Sequence, residues 1–175
     1  MTLGQKVVLA DVSVIPDDAL LAMPGEHNRL NAALAYEALK ATSLTDDEIF
    51  SALATFPGVE GRLQLVKTVD NVRYYNDNNS TTPQATIAAL TALDIGNRNI
   101  ILICGGADKN IDLSELVVAM HDHCKAVVTI PGNGTDKLAQ QLPAAIAAPD
   151  LKTALEEARL QAENGDIILF SPGFA

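Results

Sequence analysis

The chain has 175 residues, of which 48% are hydrophobic and 19% are charged, and this composition suits one packed domain with a smaller attachment. Its 22 acidic and 12 basic residues give a net charge of −10, so the sequence offers no basic face for nucleic acid or an anionic membrane surface. No apolar run approaches the roughly 20 residues of a membrane span, and Met1–Leu9 lacks a secretory signal pattern, so we expect a cytoplasmic protein without membrane insertion.

Up to about residue 62, the sequence predicts two helices and short strands at Lys6–Ala10 and Ser13–Ile15. The second helix begins with a capping box formed by Thr45 and Glu48, and it ends at Phe56-Pro57-Gly58. Two helices and two short strands make a poor hydrophobic core, so we expect this part of the chain to belong to a larger domain. The apolar positions of the two helices are Leu30, Leu34, Ala38 and Ala41, then Ile49, Ala52, Leu53 and Phe56.

From residue 63 onward, strands and helices alternate, which is typical of a parallel sheet covered by helices on both faces. Thr82-Pro83 and Asp150 are N-terminal signals for two of these helices. The run Asn99–Cys104 is almost entirely apolar, as expected of a strand buried on both faces. The other predicted strands are Leu63–Val69, Val72–Tyr75, Ala126–Ile130, Ala144–Ala147 and Asp166–Phe170, and further helices are predicted from about Asp112 and Thr135.

Four of the predicted strands run into polar segments, three of which contain glycine. Because parallel strands end at one edge of a sheet, and open α/β sheets bind ligands there, these segments mark the candidate functional edge. Gly105-Gly106 would let a ligand approach the backbone, and Lys109 could hold a carboxylate or phosphate; a glycine turn with a solvated lysine is the alternative. The four segments are Asn76–Thr82, Gly105–Lys109, Pro131–Gly134 and Ser171–Gly173.

The sequence gives little support for a phosphate-binding loop or a metal site. There is no G-x-x-x-x-G-K-[ST] loop and no G-x-G-x-x-G sequence, so these phosphate cradles are absent from it. His121, His123 and Cys124 do not fall on one helix face, so no metal site is expected there. Asn28 could cap the first helix. No residue of the chain is assigned a catalytic role.

Five motifs occur in the order in which they occur in the Mur ligases, and the chain resembles that family over nearly its whole length. The Mur ligases are ATP-dependent enzymes that build the peptide stem of the peptidoglycan precursor. The first motif is similar to the family's L-P-G-x-H-N-x-x-N-x-x-A segment. The five motifs are Met23–Ala33, Phe56–Gly58 with Gly61–Leu63, Asn76–Thr81, Gly105–Lys109 and Leu169–Pro172.

The resemblance implies an α/β fold with two parts. Residues 63–175 would form a Rossmann-like parallel-sheet domain, the C-terminal domain of the ligase, truncated at its end. Residues 1–62 would be a helical remnant of the central ATP-binding domain. We therefore expect an excised, monomeric piece of a three-domain protein that catalyses nothing alone, with the phosphate loop and the Mg²⁺ ligands in segments outside it.

The resemblance also implies a reaction. The Asn76-Asp77 start of the central motif and the Ser171-Pro172 ending are similar to the family members that join D-glutamate to UDP-N-acetylmuramoyl-L-alanine. In that reaction ATP converts the substrate carboxylate into an acyl phosphate, which the amine of D-glutamate attacks. The roles implied are adenine contacts for Asn28 and Asn31, phosphate and ribose contacts for Arg62 and Asp77, and D-glutamate carboxylate contacts for Thr81, Lys109 and Ser171.

Two positions depart from the family pattern. Asn79 stands where a lysine is usual, which removes an expected cation, and Gly61 stands where a histidine is common before Arg62. Two other interpretations stay open: a fragment of a folylpolyglutamate-synthase-like ligase, which also adds glutamate, and a non-catalytic binding module of the same fold. The Asn76-Asp77 pair and the Pro-Gly-x-His-Asn segment speak against the first of these.

Overall fold

The computed structural model describes residues 7–17, 19 and 21–175. The chain divides into two compact units, with the division between Gly58 and Val59. The sequence-based boundary at residue 62 lies four residues further on, and the assignment of the two parts to named ligase domains stays a prediction. Within the described ranges, no helix is long and apolar enough to cross a membrane.

The first unit contains a short 3-10 helix, Val12–Val14, and two α-helices, α1 (Glu26–Lys40) and α2 (Asp46–Thr55). The predicted strand at Ser13–Ile15 is wrong, because Asp11 accepts a hydrogen bond from the Ser13 amide at 2.9 Å and starts the 3-10 turn instead. Val7–Ala10 form no strand either, and Lys6 lies outside the described residues. A strand needs a partner to pair with, and the described part of this unit contains none.

The buried face of α1 differs from the predicted one. Leu30 and Leu34 are 43% and 52% exposed, whereas Ala32 and Ala33 are buried. Ile15, which is 2% exposed, packs in one cluster with these two alanines. The small alanine side chains give the 3-10 segment a flat surface to pack on, so the leucines are left at the surface. Ala38 and Ala41, also predicted as apolar contacts, are exposed.

The predicted capping box of α2 is confirmed. Thr45 accepts from the Glu48 amide, and the Glu48 carboxylate accepts from the Thr45 amide at 2.8 Å. Ile49 is fully buried and Leu53 packs against the cluster around Ile15, but Ala52 and Phe56 are exposed, so half of the predicted face is wrong. Phe56 follows the last helical turn, and Phe50 supplies the aromatic contact instead, stacking on Tyr36 of α1 with ring centroids 5.2 Å apart.

The second unit is a six-stranded sheet with helices on both faces, and the predicted α/β fold is confirmed. The strand order is β1-β2-β6-β3-β4-β5, and all strands except β1 are parallel. The elements are β1 (Gln64–Val69), β2 (Val72–Asn76), α3 (Pro83–Leu93), β3 (Ile100–Cys104), α4 (Ser114–His123), β4 (Cys124–Thr129), α5 (Asn133–Ala139), β5 (Ile146–Ala147), α6 (Leu151–Gln161) and β6 (Ile167–Phe170).

β1 is antiparallel because only two residues join it to β2. Asp70 and Asn71 have φ of 50° and 60°, the backbone of a tight hairpin turn that asparagine and aspartate tolerate. A parallel connection would need a crossover of a dozen or more residues. The Asp-Asn pair between two apolar runs is therefore the local signal for this edge hairpin.

The core lies on both faces of β3, whose five residues are all buried. Ile100 and Leu102 face the cluster that includes α3 and α4, and Ile101 and Ile103 face the cluster that includes α6. This alternation follows from the two-residue period of a strand. The predicted caps Thr82 and Asp150 are confirmed, since each side chain accepts from the amide three residues further on.

Candidate functional site

The carboxyl ends of the four central parallel strands lie at one edge of the sheet. Asn76 at the end of β2 pairs with Phe170 at the end of β6, which pairs in turn with Ile103 of β3. Cys104, the last residue of β3, pairs with Thr129, the last of β4. The four polar segments predicted to meet therefore begin side by side.

Main-chain hydrogen bonds connect these segments. The Gly105 amide donates to the Pro172 carbonyl at 3.0 Å, and the Gly134 amide donates to the Gly106 carbonyl at 3.0 Å. The Ala107 amide donates to the Ala175 carbonyl, also at 3.0 Å. The Gly173 amide donates to the Ser80 carbonyl at 2.9 Å, which joins the segment after β2 to the other three in one connected layer.

The glycine pair after β3 is packed against the protein itself. A Cβ on Gly105 would lie 2.4 Å from the Ile130 carbonyl oxygen, and one on Gly106 would lie 2.7 Å from the Ala175 carbonyl oxygen. Both have positive φ, 130° and 147°. The sequence suggested that these glycines make room for a ligand; the structure shows that they make room for the neighbouring loops.

Asp77 is the centre of a buried polar cluster. It is 5% exposed, and its Oδ1 accepts from the Leu63 amide at 3.0 Å. Its Oδ2 accepts from the hydroxyls of Ser80 and Ser171, the latter at 2.8 Å. Both carboxylate oxygens are therefore satisfied within the chain. The resemblance gave Asp77 a contact with nucleotide, whereas here its carboxylate joins protein segments.

Ser171 is fully buried as well. Besides its bond to Asp77, its Oγ lies 2.9 Å from Oγ1 of Thr86, which is also fully buried. The hydroxyl faces inward in this structure, and its expected contact with a substrate carboxylate stays a prediction. Thr86 lies 85 residues from Ser171 in the sequence, and no local motif points to their contact.

Thr81 and Lys109 lie together at the exposed side of the edge. The Lys109 Nζ donates to the Thr81 carbonyl at 3.2 Å. Both residues line a small recess together with Ile111 and Phe174. Two of the three residues expected to hold a carboxylate are thus brought together in an accessible position.

One basic and one acidic residue line this recess, Lys109 and Asp108. The Asp108 carboxylate lies 3.5 Å from the Lys137 ammonium, and the Asp108 amide donates to the Asn133 side chain at 2.9 Å. Lys137 also donates to the Ile111 carbonyl at 2.8 Å, which ties α5 to the loop after β3. Among the residues that the structure describes, Lys109 forms no ion pair, so its charge is free for an incoming anion.

Arg62 is exposed, and Asn79 organises the segment before it. The Asn79 amide donates to the Gly61 carbonyl and its side-chain nitrogen donates to the Glu60 carbonyl, both at 3.0 Å. A Cβ on Gly61 would lie 2.0 Å from the Asn78 side-chain oxygen and the φ of Gly61 is 71°, so a histidine there would displace the Asn78 side chain and strain the backbone. The two departures from the family pattern are therefore in direct contact.

Asn28 and Asn31 lie on α1 in the first unit, and the other predicted site residues lie in the second. The Asn28 side-chain nitrogen donates to the Pro24 carbonyl at 2.8 Å, and Asn31 donates to the Asn28 side-chain oxygen at 3.4 Å. Asn28 is 8% exposed. The idea that Asn28 caps α1 is wrong, since Gly25 occupies the N-cap position.

No residue set for a metal emerges from the part of the chain that the structure describes. No group of three or more His, Cys, Asp or Glu side chains there is arranged to hold an ion. His123 instead contacts Asp94, with Nδ1 2.6 Å from Oδ2. This contact joins the ends of α3 and α4.

The strand order defines an α/β domain of the doubly covered, mostly parallel type, and folds of this type bind ligands at the carboxyl edge of the sheet. The family description "Mur ligase, glutamate ligase domain" matches residues 61–174. The chain therefore belongs to the Mur ligase family through this domain.

Two curated relatives carry the same name. The UDP-N-acetylmuramoylalanine–D-glutamate ligase of Roseiflexus sp. is 42% identical over 158 residues, which is 86% of this chain and 33% of the relative. The ligase of the same name from Pseudomonas fluorescens is 36% identical over 177 residues, covering 98% of this chain and 39% of the relative. The chain spans between a third and two fifths of the length of these relatives.

Solved structures share the fold at low identity. UDP-N-acetylmuramate-alanine ligase from Thermotoga maritima has a TM-score of 0.71 at 22% identity, covering 89% of this chain and 36% of that chain. Folylpolyglutamate synthase from Mycobacterium tuberculosis, complexed with ADP, has a TM-score of 0.69 at 20% identity, covering 90% and 39%. A bifunctional folylpolyglutamate synthase/dihydrofolate synthase with Mn, AMPPNP and L-glutamate bound has a TM-score of 0.66 at 19% identity, covering 89% and 38%.

Proposed function

We propose that this chain is the amino-acid-binding domain, with part of the ATP site, of a ligase that joins D-glutamate to UDP-N-acetylmuramoyl-L-alanine in peptidoglycan precursor synthesis. Two observations support the proposal. Relatives of that name match most of the chain at 36% to 42% identity. The observation that carries the site assignment is the placement of the Lys109 ammonium 3.2 Å from Thr81 at the carboxyl edge of the sheet.

Lys109 and Thr81 are suited to hold a carboxylate of D-glutamate. An ammonium group has three protons, and the Thr81 carbonyl accepts one of them, so the others can be donated to a carboxylate. Charge-assisted bonds of this kind are about twice as strong as neutral ones. The local cation is needed because the chain as a whole has a net charge of −10 and repels a dicarboxylate.

Asp77 and Ser171 support this site from inside. Their buried bond joins the loop after β2 to the loop after β6. We assign them to positioning of Thr81 rather than to direct contact with D-glutamate or nucleotide. Holding the amine of D-glutamate in a fixed place beside the acyl phosphate would be the contribution of this domain to the rate.

Each unit offers its own residues for a contact with ATP. Exposed Arg62 can approach phosphate oxygens, and the Asn28–Asn31 pair on α1 can present amide groups to the adenine region. ATP, when bound, supplies the phosphoryl group that activates the substrate carboxylate. Among the described residues, no group of three or more His, Cys, Asp or Glu side chains is arranged to hold magnesium.

A folylpolyglutamate-synthase-like ligase is the competing candidate, because the neighbours of that name share the fold. At 19% to 20% identity they support the fold alone. The two candidates predict different amino acids, since one of those neighbours was solved with L-glutamate. The stereochemistry of the amino acid therefore separates them.

The test is ligation by a chimera in which residues 61–174 replace the matching domain of the Roseiflexus relative. We expect phosphate release from ATP that requires both UDP-N-acetylmuramoyl-L-alanine and D-glutamate. Lys109→Met should abolish it. Lys152→Met, which removes an exposed lysine on α6, is the matched control and should leave it unchanged.

Three results would overturn the proposal. The first is activity with L-glutamate in place of D-glutamate. The second is equal activity of the Lys109 and Lys152 variants. The third is a folded chimera that binds ATP and the UDP substrate and yet forms no amide.

A further inference from the structure

Thr86 is a fully buried polar residue that none of the sequence motifs contains. It lies in the second turn of α3, four residues after the cap Thr82. Its Oγ1 is 2.9 Å from Oγ of Ser171, at the start of the loop after β6. This buried contact joins α3 to the loop after β6.

The direction of this hydrogen bond follows from its neighbours. An ionised carboxylate can only accept, so the Ser171 hydroxyl donates its one proton to Asp77 at 2.8 Å. The oxygen of Ser171 then accepts, and Thr86 donates to it. The result is a directed chain from Thr86 through Ser171 to Asp77.

This series of hydrogen bonds ends at the segment that bears the proposed site. Oδ2 of Asp77 also accepts from Ser80, and the Ser80 carbonyl accepts from the Gly173 amide at 2.9 Å. Thr81 follows Ser80 directly, and its carbonyl accepts from Lys109. The placement of Thr81 relative to Lys109 is therefore fixed from the buried side by the hydroxyl chain.

Space around Thr86 also matters for the loop after β6. A Cβ on Gly173 would lie 3.2 Å from Thr86 Oγ1, so the loop passes close to the hydroxyl. Valine at position 86 keeps the shape of threonine and removes only the donor. That substitution isolates the hydrogen bond from the packing.

We propose that Thr86 is a positioning residue for the amino-acid substrate. It holds Ser171, and through Ser171 it holds Asp77. Thr81 and Lys109 therefore keep their positions relative to each other. The proposal rests on the proposed function, which supplies D-glutamate as the ligand of Thr81 and Lys109. Loss of one hydrogen bond of this kind predicts roughly fivefold weaker binding.

The test is an NMR titration of the chain with D-glutamate, because NMR detects weak binding and also reports on the chain without ligand. Thr86→Val should weaken binding about fivefold and shift the backbone amide resonances of Thr81 and Lys109 in the absence of ligand. Thr86→Ser should restore both. Thr91→Val is the matched control on the same helix, since the exposed Thr91 hydroxyl only donates to the Ile87 carbonyl.

A double-mutant cycle separates the effect of the hydrogen-bond chain from an effect of packing alone. If Thr86 acts through Ser171, Thr86→Val should have no further effect on the Thr81 and Lys109 resonances once Ser171→Ala is present. If Thr86→Val does not fold, Ser171→Ala alone is compared with the wild type, and the same two shifts and weaker binding are expected.

Two outcomes overturn the proposal: Thr81 and Lys109 resonances that do not respond to loss of the hydroxyl, or a Thr86→Ser variant as impaired as Thr86→Val. A wild-type chain that shows no response to D-glutamate speaks against the proposed function instead. In that case the ligand-free resonances still decide whether Thr86 positions Thr81.

Discussion

The carboxylate of Asp77 and the hydroxyl of Ser171 are 2.8 Å apart although 94 residues separate them in the sequence. Removing this hydroxyl leaves Oδ2 of Asp77 with one donor fewer and Thr86 without its acceptor. We expect Ser171→Ala to lower the free energy of unfolding by about 1–3 kcal/mol, measured by urea denaturation.

The matched control is Ser114→Ala. Its hydroxyl also donates to a carboxylate, that of Asp112 at 2.7 Å, but this pair is exposed. We expect a change within about 0.5 kcal/mol for it. Equal effects of the two substitutions would contradict the structural role given to Ser171.

The approach of two loops at Gly132 predicts a second stability effect. A Cβ there would lie 2.1 Å from the carbonyl oxygen of Gly106, and neither backbone segment is free to move aside. Its φ of 161° is extended, so strain arises from the contact alone. We expect Gly132→Ala to cost about 3 kcal/mol in the same urea experiment.

Gly165 provides the comparison, because its φ is 94° and nothing lies within 4 Å of an added Cβ. Gly165→Ala should cost about 1–2 kcal/mol from the left-handed backbone alone. If it destabilises the chain more than Gly132→Ala does, the close approach of the loops is not as the structure shows.

The contact between Asp94 and His123 predicts a pH effect. The hydrogen bond from His123 holds the pKa of the Asp94 carboxyl below its ordinary value of 3.8. A lowered pKa in the folded state stabilises the fold above the unfolded value, and this stabilisation is lost as pH falls through the folded value. The stability difference between wild type and Asp94→Asn should therefore be smaller at pH 3 than at pH 5, because it shrinks below about pH 4.

Urea titrations at pH 7, 5 and 3 measure this difference. Exposed Asp136 has no hydrogen-bond partner for its side chain within the described residues, and Asp136→Asn serves as the control. A stability difference for Asp94→Asn that grows toward acidic pH would show that His123 does not favour the charged carboxyl.

The two cysteines predict slow thiol chemistry. Burial raises the pKa of the Cys104 thiol to about 12, and it raises that of Cys124 as well. Since the thiolate is the reactive form, neither should react with a disulfide reagent at pH 8 until the chain unfolds. The rate of labelling with and without urea tests this, and rapid labelling in the absence of urea would contradict the burial.

Sequence patterns were sufficient where the structure is local. The apolar run of β3 and the caps Thr45, Thr82 and Asp150 each depend on a few neighbouring residues, and all were found. The buried face of α1 was not found, because helical spacing cannot tell which of two apolar stripes packs against a partner. The stripe that the segment around Ile15 covers is the alanine one.

In the candidate site as well, the local features could be predicted from the sequence and the contacts between distant residues could not. The edge of the sheet and the pair Thr81 and Lys109 follow from strand ends and motif positions, which a sequence reveals. The inward direction of Ser171 and its contact with Thr86 depend on a pairing across 85 residues, for which no local pattern exists. Position in a motif thus located Ser171 at the site without showing which way its hydroxyl points.

The most direct test of the account is to map where D-glutamate binds, from the backbone amide shifts of the chain during a titration with the D and L enantiomers. We expect shifts centred on Thr81 and Gly106–Lys109 with D-glutamate, much weaker ones with L-glutamate, and their loss in Lys109→Met but not in Lys152→Met. Shifts that lie away from the carboxyl edge of the sheet, or that are the same for both enantiomers, would contradict it.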